Sequence, residues 1–82
     1  MTDVRLLDEV LLSHCAPRWL KVARVLGDAE RDARLTGVAP ENRLDLLAAR
    51  IVALFDAGRL DAEGDLDEWR FSEIRLPSEA TQ

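Results

Sequence analysis

Val4, Leu6, Leu7, Val10 and Leu11 recur at spacings of three and four, which predicts an amphipathic helix from about Asp3 to Ser13. Asp3 is placed to cap it, Asp8 and Glu9 fall on the solvent side, and Ala16-Pro17 stops it. Proline's fixed φ suits the first turn of a new helix, so a second helix is expected from Pro17. One stripe holds Trp19, Val22, Ala23, Leu26, Ala29 or Glu30, and Ala33, and its other face carries Arg18, Lys21, Arg24, Asp28, Arg31 and Asp32. Gly27 is a candidate end or bend, because glycine inside a helix costs about 1 kcal/mol relative to alanine.

Leu35 to Glu41 has glycine and proline close together and no periodicity, and reads as a loop. A third helix follows, with Asn42 as the expected cap and Gly58 as the residue able to turn left-handed at its end. Leu44, Leu47, Ala48, Ile51, Leu54 and Phe55 form its inward stripe, widened by Leu46, Ala49, Val52 and Ala53. So broad an apolar surface implies packing on two sides or an association face.

Beyond Gly58 the period changes from about 3.6 to 2. Leu60 and Ala62 alternate with Asp61 and Glu63, Gly64-Asp65 turns the chain, and Trp69 to Leu76 returns as a partner strand closed by Pro77. Residues 77–82 read as a frayed tail. The expected fold is mostly α with a small β-hairpin, three helices followed by a two-stranded antiparallel wing, in a single domain over residues 1–82. The returning strand contains a conflict: Trp69 and Phe71 share one parity, Ile74 and Leu76 the other. Either a bulge near Ser72-Glu73 brings all four inward, or two aromatics remain outside as a contact patch.

Composition narrows the function classes. With 48% apolar and 33% charged residues the chain has the make-up of a folded globular protein. At 82 residues its core is small, and with Cys15 as the only cysteine no disulfide within the chain can support it. His14 and Cys15 are too few for a structural zinc site, which leaves self-association as the common route to added stability. The N-terminus lacks a basic segment and no apolar run approaches the roughly 20 residues that span a bilayer. A cytoplasmic protein without a membrane partner is therefore expected.

Net charge is −5, and its placement matters more than its size. Six basic and six acidic residues balance up to Pro40, whereas five arginines face ten carboxylates from Glu41 onward. The negative excess lies on the helix-hairpin half, where a nucleic-acid reader needs the opposite sign.

Candidate chemistry is sparse. Ser13-His14-Cys15 offers a nucleophile and a base, but neighbours on a helix do not face each other. Asp61, Glu63, Asp65, Asp67 and Glu68 gather around a glycine, yet their spacing is not that of a calcium loop, and a solvated wing tip is the simpler reading. Arg50 lies inside an apolar run and is a candidate for an ion pair with Glu73, or with Asp61, tying wing to helix. No cofactor, metal or small-molecule substrate is indicated.

The segment RIVALFDAGRLDAEGDLDEWRFSEIRLP, Arg50 to Pro77, resembles the end of a bacterial family of uncharacterised domains, found alone or after another such domain. Arg50, Gly58, Leu60, Gly64, Asp65, Arg70, Ser72, Glu73 and Arg75 are the matching positions. The resemblance implies a winged helix-turn-helix-like fold; no activity is established for that family. The functional expectation is a non-enzymatic module for protein contact or self-association, such as a homodimer, with Trp69, Phe71, Leu46 and Val52 as candidate partner surface. The alternative is a DNA-binding transcriptional regulator using the helix over residues 43–57, with Arg18, Lys21, Arg24, Arg43 and Arg50 on the duplex.

Overall fold

Helix α1 spans Val4–Ser13, and the Asp3 carboxylate caps it by accepting from the Arg5 backbone N–H at 3.0 Å. The structure, a computed structural model, describes residues 3–77, so the expected frayed tail lies from residue 78 on outside the described residues. Leu7, Val10 and Leu11 of α1 are fully buried, as their spacing requires. Val4, expected on the same face, is 47% exposed because it sits in the first turn, beyond the edge of the core.

The second helix does not begin at Pro17. Leu20–Lys21 form a strand, β1, and α2 spans Val22–Glu30. Sheet pairing decides this: Ala16 C=O accepts from Leu76 N–H at 2.8 Å and Val22 N–H donates to Ser72 C=O at 3.0 Å, bonds a helix through residues 17–21 would forfeit. Gly27 lies inside α2 without ending it. A 3₁₀ turn at Ala33–Leu35 buries Leu35 and leads to α3, Pro40–Asp56. That helix starts at Pro40 rather than after Asn42, since proline at the first position lacks an N–H that would be unpaired there. Its end is as expected: Gly58 has φ of 77°, its N–H donates to Phe55 C=O, and Arg59 N–H donates to Leu54 C=O, a Schellman closure.

Strands β2 (Asp61–Glu63) and β3 (Glu73–Arg75) complete an antiparallel three-stranded sheet in the order β1-β3-β2. The expected two-stranded wing is thus corrected to three strands. Leu20, Ile74 and Ala62 stand in register toward the core; Lys21, Glu73 and Glu63 stand in register on the other face. On that outer face Arg75 pairs with Asp61 at 3.1 Å and lies over the Trp19 ring, 4.5 Å from its centroid.

The returning strand is shorter than its composition suggests. Leu66–Phe71 form an irregular 3₁₀ segment capped by Asp65, which accepts from Asp67 N–H. The parity conflict disappears with it, because Trp69 and Phe71 do not belong to the strand. Neither expected alternative holds for both: Trp69 is half-buried against the core, and Phe71 is 82% exposed.

One apolar core joins these elements: Leu7, Val10 and Leu11 from α1, Val22, Val25, Leu26 and Ala29 from α2, Leu47, Ile51 and Leu54 from α3, with Leu35, Leu60 and Ile74. Ser72 is the buried polar residue among them, and its hydroxyl donates to Trp69 C=O at 3.3 Å.

Candidate functional site

Helix α3 holds two arginines, and both are partly buried and committed to partners within the fold. Arg43 Nε donates to Val38 C=O at 2.9 Å and Arg43 Nη1 to Glu30 C=O at 3.2 Å, fastening α3 to the end of α2. Arg50 takes Asp8 of α1 in a two-pronged pair, Nε to Oδ1 at 2.8 Å and Nη2 to Oδ2 at 3.0 Å. The hydrogen bonds to Asp8 hold the Arg50 guanidinium pKa above its ordinary value. The ion pair expected between Arg50 and Glu73 is therefore not the one formed. Glu73 instead lies 4.0 Å from Lys21, and Asp61 pairs with Arg75. The helix-to-wing tie is replaced by a helix-to-helix tie, because the buried face of α3 turns Arg50 toward α1.

With those cations turned inward, the outer face of α3 presents Glu41, Asp45, Ala49, Val52 and Asp56. Val52 is 37% and Phe55 43% exposed, and Ala53 is half-buried beside them. Phe55 had been expected inside and lies instead on the exposed side of α3. Leu46 sits elsewhere, in an open groove of about 340 Å³ with Leu6, Val38 and Asn42. Of the four residues expected to form a partner surface, Val52 and Phe71 are exposed, while Leu46 and Trp69 are half-buried and pack on the core. Arg70 lies over the Trp69 ring, 4.5 Å from its centroid.

The basic residues expected on DNA divide into two sets. Arg18, Lys21 and Arg24 are exposed around the start of α2. Arg43 and Arg50 are not available to a duplex without breaking the bonds described above. Arg24 lies 3.9 Å from Asp28 and Arg31 pairs with the same carboxylate at 3.0 Å, so much of the α2 face is neutralised locally.

A second polar cluster joins the end of α1 to the α2–α3 connection. His14 Nε2–H donates to Asp32 Oδ2 at 2.9 Å, and Arg34 donates to Asp32 from its backbone N–H and from both Nε and Nη2. Hydrogen bonds from Arg34 first, and then from His14, push the Asp32 carboxyl well below the usual carboxylate range. Ser13 Oγ–H donates to Val10 C=O at 2.7 Å and accepts from Arg34 Nη2 at 2.7 Å. The histidine thus faces Asp32 rather than Ser13 or Cys15. Burial pushes the Cys15 thiol up to about 11, the opposite of nucleophile activation. This cluster locks a helix end to a loop.

In β2 and the segment after it, Asp61 is taken by Arg75, and Glu63, Asp65, Asp67 and Glu68 are exposed. Among the described residues no group of three or more histidine, cysteine or carboxylate side chains is placed to hold a metal ion. No described helix is long and apolar enough to cross a membrane.

No protein-family model, curated protein or solved structure matches the chain. The roles of its residues therefore rest on the geometry.

Proposed function

We propose that this chain is a winged-helix-like module that acts by protein contact and performs no catalysis. The helix order and the antiparallel pair β2–β3 following α3 support the winged-helix reading. One observation carries the functional reading: both arginines of α3 are spent inside the domain, leaving an outer face of small and apolar side chains among carboxylates. A helix that enters the major groove meets phosphates on both sides, and phosphate neutralisation supplies most non-specific affinity. The α3 face has no cation for that task and has apolar surface that a partner could bury.

Photo-crosslinking in living cells tests the reading, with the photoreactive residue at position 52 and, as control, at position 31, just past the end of α2. A discrete protein adduct from position 52 and none from position 31 is expected. Absence of adducts at both positions, together with salt-sensitive binding to duplex DNA at low ionic strength, would reverse the assignment in favour of a DNA regulator using Arg18, Lys21 and Arg24.

A further inference from the structure

The charge left on α3 specifies what sort of partner this contact face accepts, an inference that rests on the contact reading above. Asp45, Ala49, Val52 and Asp56 follow one another at helical spacing along the solvent side, with Phe55 beside Val52. Carboxylates stand at both ends of this strip and an apolar centre lies between them. No exposed cation of α3 offsets them, since Arg43 and Arg50 are both held internally. The next cation along the chain, Arg59, lies on the α1 side, lining a groove with Arg5, Asp8, Glu9 and Leu12.

We infer that the outer face of α3 docks a separate polypeptide whose contact segment has an apolar centre flanked by lysine or arginine, rather than a second copy of this chain. Two copies meeting face to face about a two-fold axis would bring each copy's Asp45 toward the other's Asp56, acid against acid, with no cation between them. A head-to-tail contact with α2 fares little better, since Arg24 and Arg31 already lie against Asp28. The large exposed apolar residues of the described structure are Val4, Val52, Phe55 and Phe71, and none belongs to α2. A partner with its own cations satisfies Asp45 and Asp56 at the rim while Val52 and Phe55 lose water at the centre.

The probes are two synthetic amphipathic helical peptides that share one leucine stripe, flanked by lysine in the first and by glutamate in the second. Each is titrated into ¹⁵N-labelled full-length protein. The lysine peptide is expected to shift the amide resonances of residues 45, 49, 52 and 56, and the glutamate peptide to leave them in place. In the Asp45→Lys, Asp56→Lys double variant the preference should invert, with affinity for the lysine peptide falling at least about tenfold. Val52→Ser should weaken the lysine peptide without inverting the preference. Equal binding of both peptides at this face would overturn the charge inference and leave the contact reading standing. Shifts at these residues on raising protein concentration alone would overturn it in favour of a second copy, again within the contact reading. Peptide-induced shifts confined to residues 61–68 would overturn it by placing the basic partner on the wing. No shift with either peptide would overturn it as well, and the crosslinking result at position 52 then decides separately whether the face contacts protein at all.

Discussion

Arg50 of α3 grips Asp8 of α1 through two nearly parallel hydrogen bonds of 2.8 and 3.0 Å, across 42 positions of sequence. The pair is partly buried, with side-chain exposures of 29% and 14%, so water competes for it less than for surface pairs. A double-mutant cycle on Asp8→Ala and Arg50→Ala should return a coupling of about 1 kcal/mol or more, read from denaturant unfolding. The same cycle on the exposed pair Asp28–Arg31 should give a few tenths at most. Equal couplings would mean that the pair's burial does not strengthen it.

Two glycines should respond in opposite directions to alanine. Gly27 is inside α2, where an added Cβ would meet its nearest neighbour, Arg31 Nη1, at an ordinary 3.7 Å. Gly27→Ala is expected to raise stability by roughly 0.5–1 kcal/mol through helix propensity. Gly64 has φ of 89° and a Cβ there would come within 3.3 Å of Ser72 Cα and Cβ. Gly64→Ala should cost more than 1 kcal/mol, on the order of 1–3, since backbone strain and contact add. Thermal unfolding of the two variants checks both signs.

Acid should loosen the junction of α1 with the α2–α3 connection. The folded-state pKa of Asp32 is lowered from its ordinary value of 3.8, so its contribution is present above that value and is lost as pH falls below it. In melting curves between about pH 5 and 2, Asp32→Asn should flatten part of the wild-type decline. An unchanged slope would show that other carboxylates account for acid unfolding.

The Cys15 thiol offers a mirror-image test at alkaline pH. Its folded pKa is raised from 9.0 to about 11 by burial, so folding favours the neutral thiol. Stability from this group is complete below pH 9.0 and declines as pH rises toward about 11. Disulfide-exchange reagents should label the native protein at pH 8 at least about tenfold more slowly than the urea-unfolded chain. Comparable rates in the two states would contradict the burial.

Phe71 and Ile74 lie three positions apart and should behave as surface and core. Phe71, 82% exposed, should be replaceable by serine with a change within about 0.5 kcal/mol. Ile74 is fully buried at the centre of the sheet, and Ile74→Ala should cost about 2–5 kcal/mol, enough to unfold a large fraction of so small a protein. Circular dichroism melts of the two variants measure the contrast.

Local chemistry explains what was readable before folding. The Asp3 cap, the stop of α1 before Pro17, the buried faces of α1 and α3, and the left-handed Gly58 each depend on residues within one or two helical turns. Beyond that reach the sequence was ambiguous or misleading. Strand β1 was hidden because Trp19 to Val22 also fits a helical stripe; alternation of Leu20, Lys21 and Val22 was the available signal, and only β3 supplies the partner that selects it. The aromatic run Trp69 to Phe71 has strand composition, yet the close seat of Ser72 against Gly64 and the Asp65 cap hold it in a 3₁₀ segment.

The charge of the helix-hairpin half was fixed by the sequence alone, and so was the broad apolar character of α3. Which charges reach solvent was decided by tertiary packing. Arg43 and Arg50 appear in sequence as two cations on a helix that could have faced phosphate. In the fold, backbone carbonyls at Val38 and Glu30 and the carboxylate of Asp8 claim them, because partners separated in sequence become neighbours only when the helices pack.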